Sequence, residues 1–282
     1  MKHVLKYIFF IGVGIFAVIG VVFAGVFVAM QFGLLNVRGS TKGRNEFFIP
    51  QTKTASPSPV CSDMLIRRCT WSATPEWLVI KEGLKKDQLV LEDVSRKTGV
   101  PARLIAAAAV PEQIRFFTAE REVFKRYFEP LKILGSLSQF SLGVSGIKQE
   151  TANKIEVYAA STTSPFYAGE GMSTLIKYEQ EGNHDAELYA RLTNAKDHYY
   201  SYLYTALFIK EIEMQWKREG FDISQNSAIL VTLFNIGFHA SHPSSSAQVG
   251  GASITTGGQT YSYGELGENF YTSDEILDIF PR

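Results

Sequence analysis

One carboxylate stands out by its surroundings. Residues 102–117, ARLIAAAAVPEQIRFF, read as a helix that is almost wholly apolar for two turns before it presents Glu112. An apolar setting disfavours the ionised form of a carboxyl group. The position therefore predicts an acid that keeps its proton towards neutral pH and can deliver it to a leaving group. A plainer reading stands beside it, a helix-end carboxylate paired with Arg115 or Arg103.

Two later stretches carry polar groups that such an acid would need around it. Residues 141–152, SLGVSGIKQETA, hold Gly143 and Gly146 within four positions, a tight loop where backbone can approach a ligand closely. Ser141, Lys148 and Gln149 are the side chains that this loop offers. Residues 229–238, ILVTLFNIGF, read as a buried helix with one amide, Asn235, next to Phe234. A buried amide left unbonded costs about 1–3 kcal/mol, so Asn235 either braces the core or faces a ligand. Should the chemistry need a second carboxylate, Glu150, Glu156, Glu170 and Asp197 are the candidates.

The elements that must hold these groups are mostly helical. Asp87 is placed to cap a helix to Thr98, with Leu89, Leu91, Val94 and Thr98 along it. Gly99 stops that helix and Pro101 starts the next. Pro111 should kink the Glu112 helix or begin a new turn. Residues 120–127 read as amphipathic, 133–140 as an apolar link, 152–158 as helix, and 162–183 as irregular and glycine-rich. A helix over 186–196 precedes a long one over 198–220, on which Tyr200, Leu203, Tyr204, Leu207 and Phe208 recur at helical spacing. That stripe fits core packing better than a sugar platform. Gly257-Gly258 between residues 252–256 and 259–263 is a hairpin signature. Short helices follow at 264–271 and 274–280, the latter capped by Ser273. The helix pair 87–117 has the outline of a helix-turn-helix, but its second helix offers alanines where a DNA reader would carry Arg, Asn, Gln or Lys.

Lys plus Arg number 28 and Asp plus Glu number 28, so no global basic field points to nucleic acid. No charged residue occurs from 7 to 35. As a helix that run would reach about 43 Å, enough to cross a hydrocarbon core of about 30 Å and too long for a cleaved leader. It predicts a membrane anchor over residues 1–35. Residues 36–75 then read as a flexible tether carrying Cys61 and Cys69, and 76–282 as the folded domain. The two cysteines close a small disulfide loop or stand as separate thiols. Flanking charge, Lys2 and Lys6 against Arg38, Lys42 and Arg44, does not fix the orientation.

In this order the motifs resemble the lysozyme-like lytic transglycosylase superfamily, which includes goose-type lysozyme, in its membrane-anchored subset. There an apolar helix ends in the catalytic Glu, matched by Glu112. A Ser-x-Gly-x-x-Gln-[Ile/Leu] loop and a Thr-Ala helix start follow, matched by Ser141, Gly143, Ile147, Thr151 and Ala152. An Ala-Tyr-Asn-Ala-Gly element is matched by residues 233–237, LFNIG. The match runs from about 88 to 238 and departs at Gly146, on which the family Gln falls, and at Phe234 in place of Tyr. The resemblance implies a mainly α, lysozyme-like domain with a small C-terminal β-hairpin behind a transmembrane helix. It also implies cleavage of peptidoglycan between N-acetylmuramic acid and N-acetylglucosamine, with Glu112 as acid and base. Ser141, Gly143, Gly146, Lys148, Phe234 and Asn235 would lie along the glycan, with no cofactor or metal. The partners it implies are glycan strands and the lipid bilayer, with the domain on the outer side of the cell membrane. Gly146 and Phe234 also leave room for a non-catalytic glycan-binding or scaffold protein on the same fold.

Overall fold

The computed structural model describes residues 70–118, 141–178 and 182–282. The apolar run 7–35, the tether up to residue 69 with Cys61 and Cys69, and the segments 120–127 and 133–140 lie outside the described residues. Among the described residues no helix is long and apolar enough to cross a membrane.

The described chain is mainly helical, with two short antiparallel hairpins. It opens with α1 (Pro75–Lys86), a helix that sequence reading did not name. Thr74 caps it by accepting from the Trp77 amide, and Pro75 occupies its first turn. Helix α2 (Gln88–Thr98) buries Leu91, Val94 and Thr98, but Leu89 is 77% exposed and leaves the expected stripe. Gly99 ends it with φ 75°, a left-handed backbone that only glycine takes without cost. Asp87 stands at the cap position without capping. Its carboxylate accepts instead from Tyr202 Oη at 2.9 Å and pairs with His198 Nδ1 at 2.6 Å.

Helix α3 (Ala102–Thr118) carries Glu112 and runs through Pro111 without ending. A proline inside a helix leaves the carbonyl four residues earlier without its N–H partner. Here that is Ala107, and it faces Gly267, where a Cβ would fall 2.8 Å from the carbonyl oxygen. A neighbouring helix with no side chain at the contact thus covers the weak turn.

Strands β1 (Ser141–Leu142) and β2 (Ile147–Lys148) form a minimal hairpin, with Ser141 paired to Lys148. Helix α4 (Gln149–Ala160) follows directly, longer at both ends than the expected 152–158. A 3-10 turn at Met172–Ile176 leads to α5 (His184–Leu192). Helix α6 (Tyr199–Arg218) is the central element. Leu203, Tyr204, Leu207 and Phe208 are fully or almost fully buried, so the aromatic stripe is core.

Helix α7 (Ser227–Ile236) is followed by a 3-10 turn at Phe238–Ala240. Strands β3 (Ser253–Thr256) and β4 (Gln259–Ser262) pair around Gly257-Gly258 as expected. Helix α8 (Tyr263–Thr272) begins with a full capping box between Ser262 and Glu265. It packs on α7 and α3 through Gly264 and Gly267, where a Cβ would meet Thr232 and Val231.

The expected last helix over 274–280 is not formed; turns replace it. Ile276 takes φ 45°, which a right-handed helix cannot contain. The carbonyls that a helix would use there go elsewhere. Arg103, fully buried in α3, donates all of its N–H groups to backbone: Nε to Tyr271, Nη1 to Glu275 and Phe280, Nη2 to Phe270 and Ser273, at 2.6–3.0 Å.

Candidate active site

Glu112 sits in the third turn of α3, beyond the alanines, and is 9% exposed. The expectation of an acid isolated among apolar groups needs correction. Arg115, one turn further on the same helix face, places Nη2 2.7 Å from each carboxylate oxygen. Arg103, the other expected partner, is committed to the C-terminal carbonyls. The first half of α3 is still as apolar as it reads: residues 104–110 are buried without interruption. The plain reading of Glu112 was therefore right about its partner.

The glycine hairpin does lie against Glu112, and closely. Gly146 has φ 66°, and a Cβ built there would be 2.5 Å from the Glu112 carboxyl carbon. A side chain at 146 would have to displace the Glu112 carboxyl group and strain the left-handed backbone, so glutamine would enter this position only at both costs. Gly143, with φ 67°, faces the other way, where a Cβ would fall 2.6 Å from Ser201 Oγ. Both glycines therefore serve close approach of the protein to itself, not to a ligand as the loop pattern suggested. Further bonds fix the turn between them. Gln113 Nε2 donates to the Val144 carbonyl, tying it to α3. The Ser145 amide donates to Ser201 Oγ at 3.4 Å, tying it to α6.

A second contact to the Glu112 turn comes from a residue that sequence reading missed. Tyr263, the first residue of α8, is 1% exposed and donates its hydroxyl to the Ala108 carbonyl at 2.7 Å. Burial pushes its phenol well above the ordinary value, and the nearby charge of Glu112 adds to the shift. The signal was faint: one aromatic directly after the serine that caps α8, at the end of the expected hairpin.

Asn235 takes the bracing role. Its Oδ1 accepts from the Ala252 amide at 2.8 Å, and a Cβ on Gly251 would be 2.7 Å from that oxygen. The same Gly251 position lies 3.0 Å from Tyr263 Cβ. Asn235 thus holds the segment that delivers Tyr263 to Glu112. Phe234 is half-buried, its ring 5.3 Å from Phe208 in an edge-on contact. Lys148 is exposed at the end of β2, and Ser141 pairs with it across the hairpin.

Three of the other four candidate carboxylates have partners. Glu156 accepts from Tyr178 at 2.6 Å and from Tyr204, and its second oxygen meets His184 Nε2 at 2.7 Å. Glu150 pairs with Lys154 at 2.7 Å, and Asp197 caps the Tyr199 amide at 2.9 Å. Glu170 is exposed. The arrangement therefore centres on one carboxylate, with a flush glycine wall on one side and a buried phenol behind. Among the described residues no group of three His, Cys, Asp or Glu side chains could hold a metal ion. Compared with family models, curated proteins and solved structures, the chain matches none.

Proposed function

We propose that this chain is a membrane-anchored peptidoglycan-cleaving enzyme of the lytic transglycosylase kind, on a lysozyme-like fold. The observation that carries the reading is the contact of Gly146 with Glu112. A left-handed glycine holds a hairpin against one nearly buried carboxylate at the edge of an apolar helix. In the proposed reaction Glu112 protonates the glycosidic oxygen between N-acetylmuramic acid and N-acetylglucosamine. It then takes the proton of the muramic 6-hydroxyl as that oxygen attacks the anomeric carbon, giving a 1,6-anhydro product. An inverting hydrolase would need a second carboxylate about 6.5–9.5 Å away to activate water. Of the four candidates Glu150, Glu156 and Asp197 have other partners and only the exposed Glu170 has none among the described residues, which favours the single-carboxylate route. No cofactor is required. The apolar run 7–35 supports anchoring in the lipid bilayer, and a wall glycan places the domain outside the cell membrane.

Incubation of the protein with purified peptidoglycan, followed by mass spectrometry of the soluble products, should show anhydromuropeptides. Glu112→Gln should abolish them. Absence of release by the wild type, or equal release by the variant, defeats the reading. One observation favours a second reading, a glycan-binding scaffold: Arg115 occupies both oxygens of Glu112. Pull-down on insoluble peptidoglycan with an unchanged muropeptide profile would select it.

A further inference from the structure

We propose that Arg115 is an anion-responsive latch on Glu112: it holds the carboxylate in the empty site and is drawn off by a carboxylate of the substrate. The glycan this site selects is then one that still carries its acidic peptides. The inference rests on the peptidoglycan reading of the site and adds a specificity residue to it.

The geometry supports exchange. Arg115 uses one nitrogen, Nη2, to reach both oxygens of Glu112. A guanidinium has five N–H donors, so among the described residues Nε and Nη1 are left for another acceptor. The Arg115 side chain makes no other hydrogen bond among the described residues, in contrast to Arg103, which spends every donor on backbone. The Arg115 side chain is 23% exposed and that of Glu112 12%, so the cation is the solvent-facing member of the pair. Both residues stand on one helix three positions apart, so separating them takes a side-chain rotation and no backbone movement.

The chemistry requires the exchange. A carboxylate held by a guanidinium at both oxygens cannot donate a proton to a leaving group. A neutral glycan entering the site would have to break the pair with nothing to replace it, leaving a half-buried cation unpaired. A strand bearing a peptide carboxylate supplies the replacement. Planar recognition of a carboxylate is the task for which arginine outperforms lysine. Lys148, exposed at the end of the strand that starts next to Gly146, adds positive charge to the same hairpin.

The test compares glycan strands carrying their peptides with the same strands stripped of peptide by an amidase. Full-length wild type in detergent should cleave peptide-bearing strands with a kcat/KM at least about tenfold higher. Arg115→Gln should bring that ratio close to one. A wild-type ratio of one, or a ratio unchanged in the variant, overturns the latch. A binding arm separates this failure from failure of the enzymatic reading. Glu112→Gln, which cannot hold the guanidinium as a carboxylate does, should bind a disaccharide tripeptide several-fold more tightly than wild type, with affinity for neutral chitotetraose unchanged. If wild type cleaves neither strand, the activity is lost but calorimetry still decides the latch. Equal changes for both ligands, or none for the peptide-bearing one, overturn it.

Discussion

Gly146 and Glu112 occupy space that neither could share with another side chain: a Cβ on the glycine would lie 2.5 Å from the carboxyl carbon. Gly146→Ala therefore displaces the carboxylate and also strains a backbone at φ 66°. The left-handed strain costs about 1–2 kcal/mol, a modest loss for a domain of this size. The expected outcome is a small fall in thermal stability with loss of most anhydromuropeptide release. Gly143→Ala provides the control. It clashes with the Leu192 carbonyl and Ser201 instead of Glu112, so it should lower stability at least as much while acting on turnover only through folding.

Tyr263→Phe removes one hydroxyl from a fully packed position. The Ala108 carbonyl, which bonds that hydroxyl at 2.7 Å, keeps its place in the helix, so destabilisation should be about 1 kcal/mol. Turnover should fall further than stability, because the phenol lies beside the Glu112 turn. Thermal melts and product release measured on the same preparation check the two separately. Equal, small losses in both would reduce Tyr263 to a packing residue.

The local signals in the chain were legible where one residue type has one physical job. Gly99 stopping α2, the Gly257-Gly258 hairpin and the core stripe of α6 all follow from backbone freedom or helical period. The Glu112 helix was found for the same reason, since its apolar run has no other use. What was not legible depends on partners far along the chain. Asp87 looks like a cap, but His198 and Tyr202 claim it. Residues 274–280 look helical, but Arg103, more than 170 positions earlier, takes the Glu275 and Phe280 carbonyls. Pro111 could have begun a new turn, but the helix runs through it and Gly267 closes over the freed turn. Tyr263 carried only a faint local mark, an aromatic directly after the serine that caps α8.

Arg103 makes the strongest stability prediction. Its guanidinium is fully buried, faces five backbone carbonyls and has no carboxylate partner among the described residues. Arg103→Met fills similar volume but leaves those acceptors dry. Hydrogen bonds to a charged group contribute about 1.5–3 kcal/mol each and are not additive, so a loss of at least about 3 kcal/mol is expected. Denaturant titration measures it. Protease cleavage within 273–282 should appear at lower enzyme concentration in the variant, because the guanidinium is what gathers that segment.

Glu211 sets the pH dependence. It lies fully buried in α6, and neither oxygen has a hydrogen-bond partner among the described residues. Burial pushes its carboxyl up to about 10 from an ordinary 4.5. Folded protein therefore keeps the proton over a range in which the unfolded chain releases it. The associated stability is fully present below about pH 4.5 and is lost progressively as pH rises towards 10. At about 1.4 kcal/mol per pH unit, the loss by pH 7 is roughly 3 kcal/mol. Glu213, raised to about 7 chiefly by burial, adds to the same slope over the lower part of that window. Glu211→Met keeps similar volume and has nothing to titrate. Its melting temperature should exceed that of wild type by several degrees at pH 8, and the gap should close as pH approaches 4. A gap that stays constant across that range would show that Glu211 is not protonated in the fold.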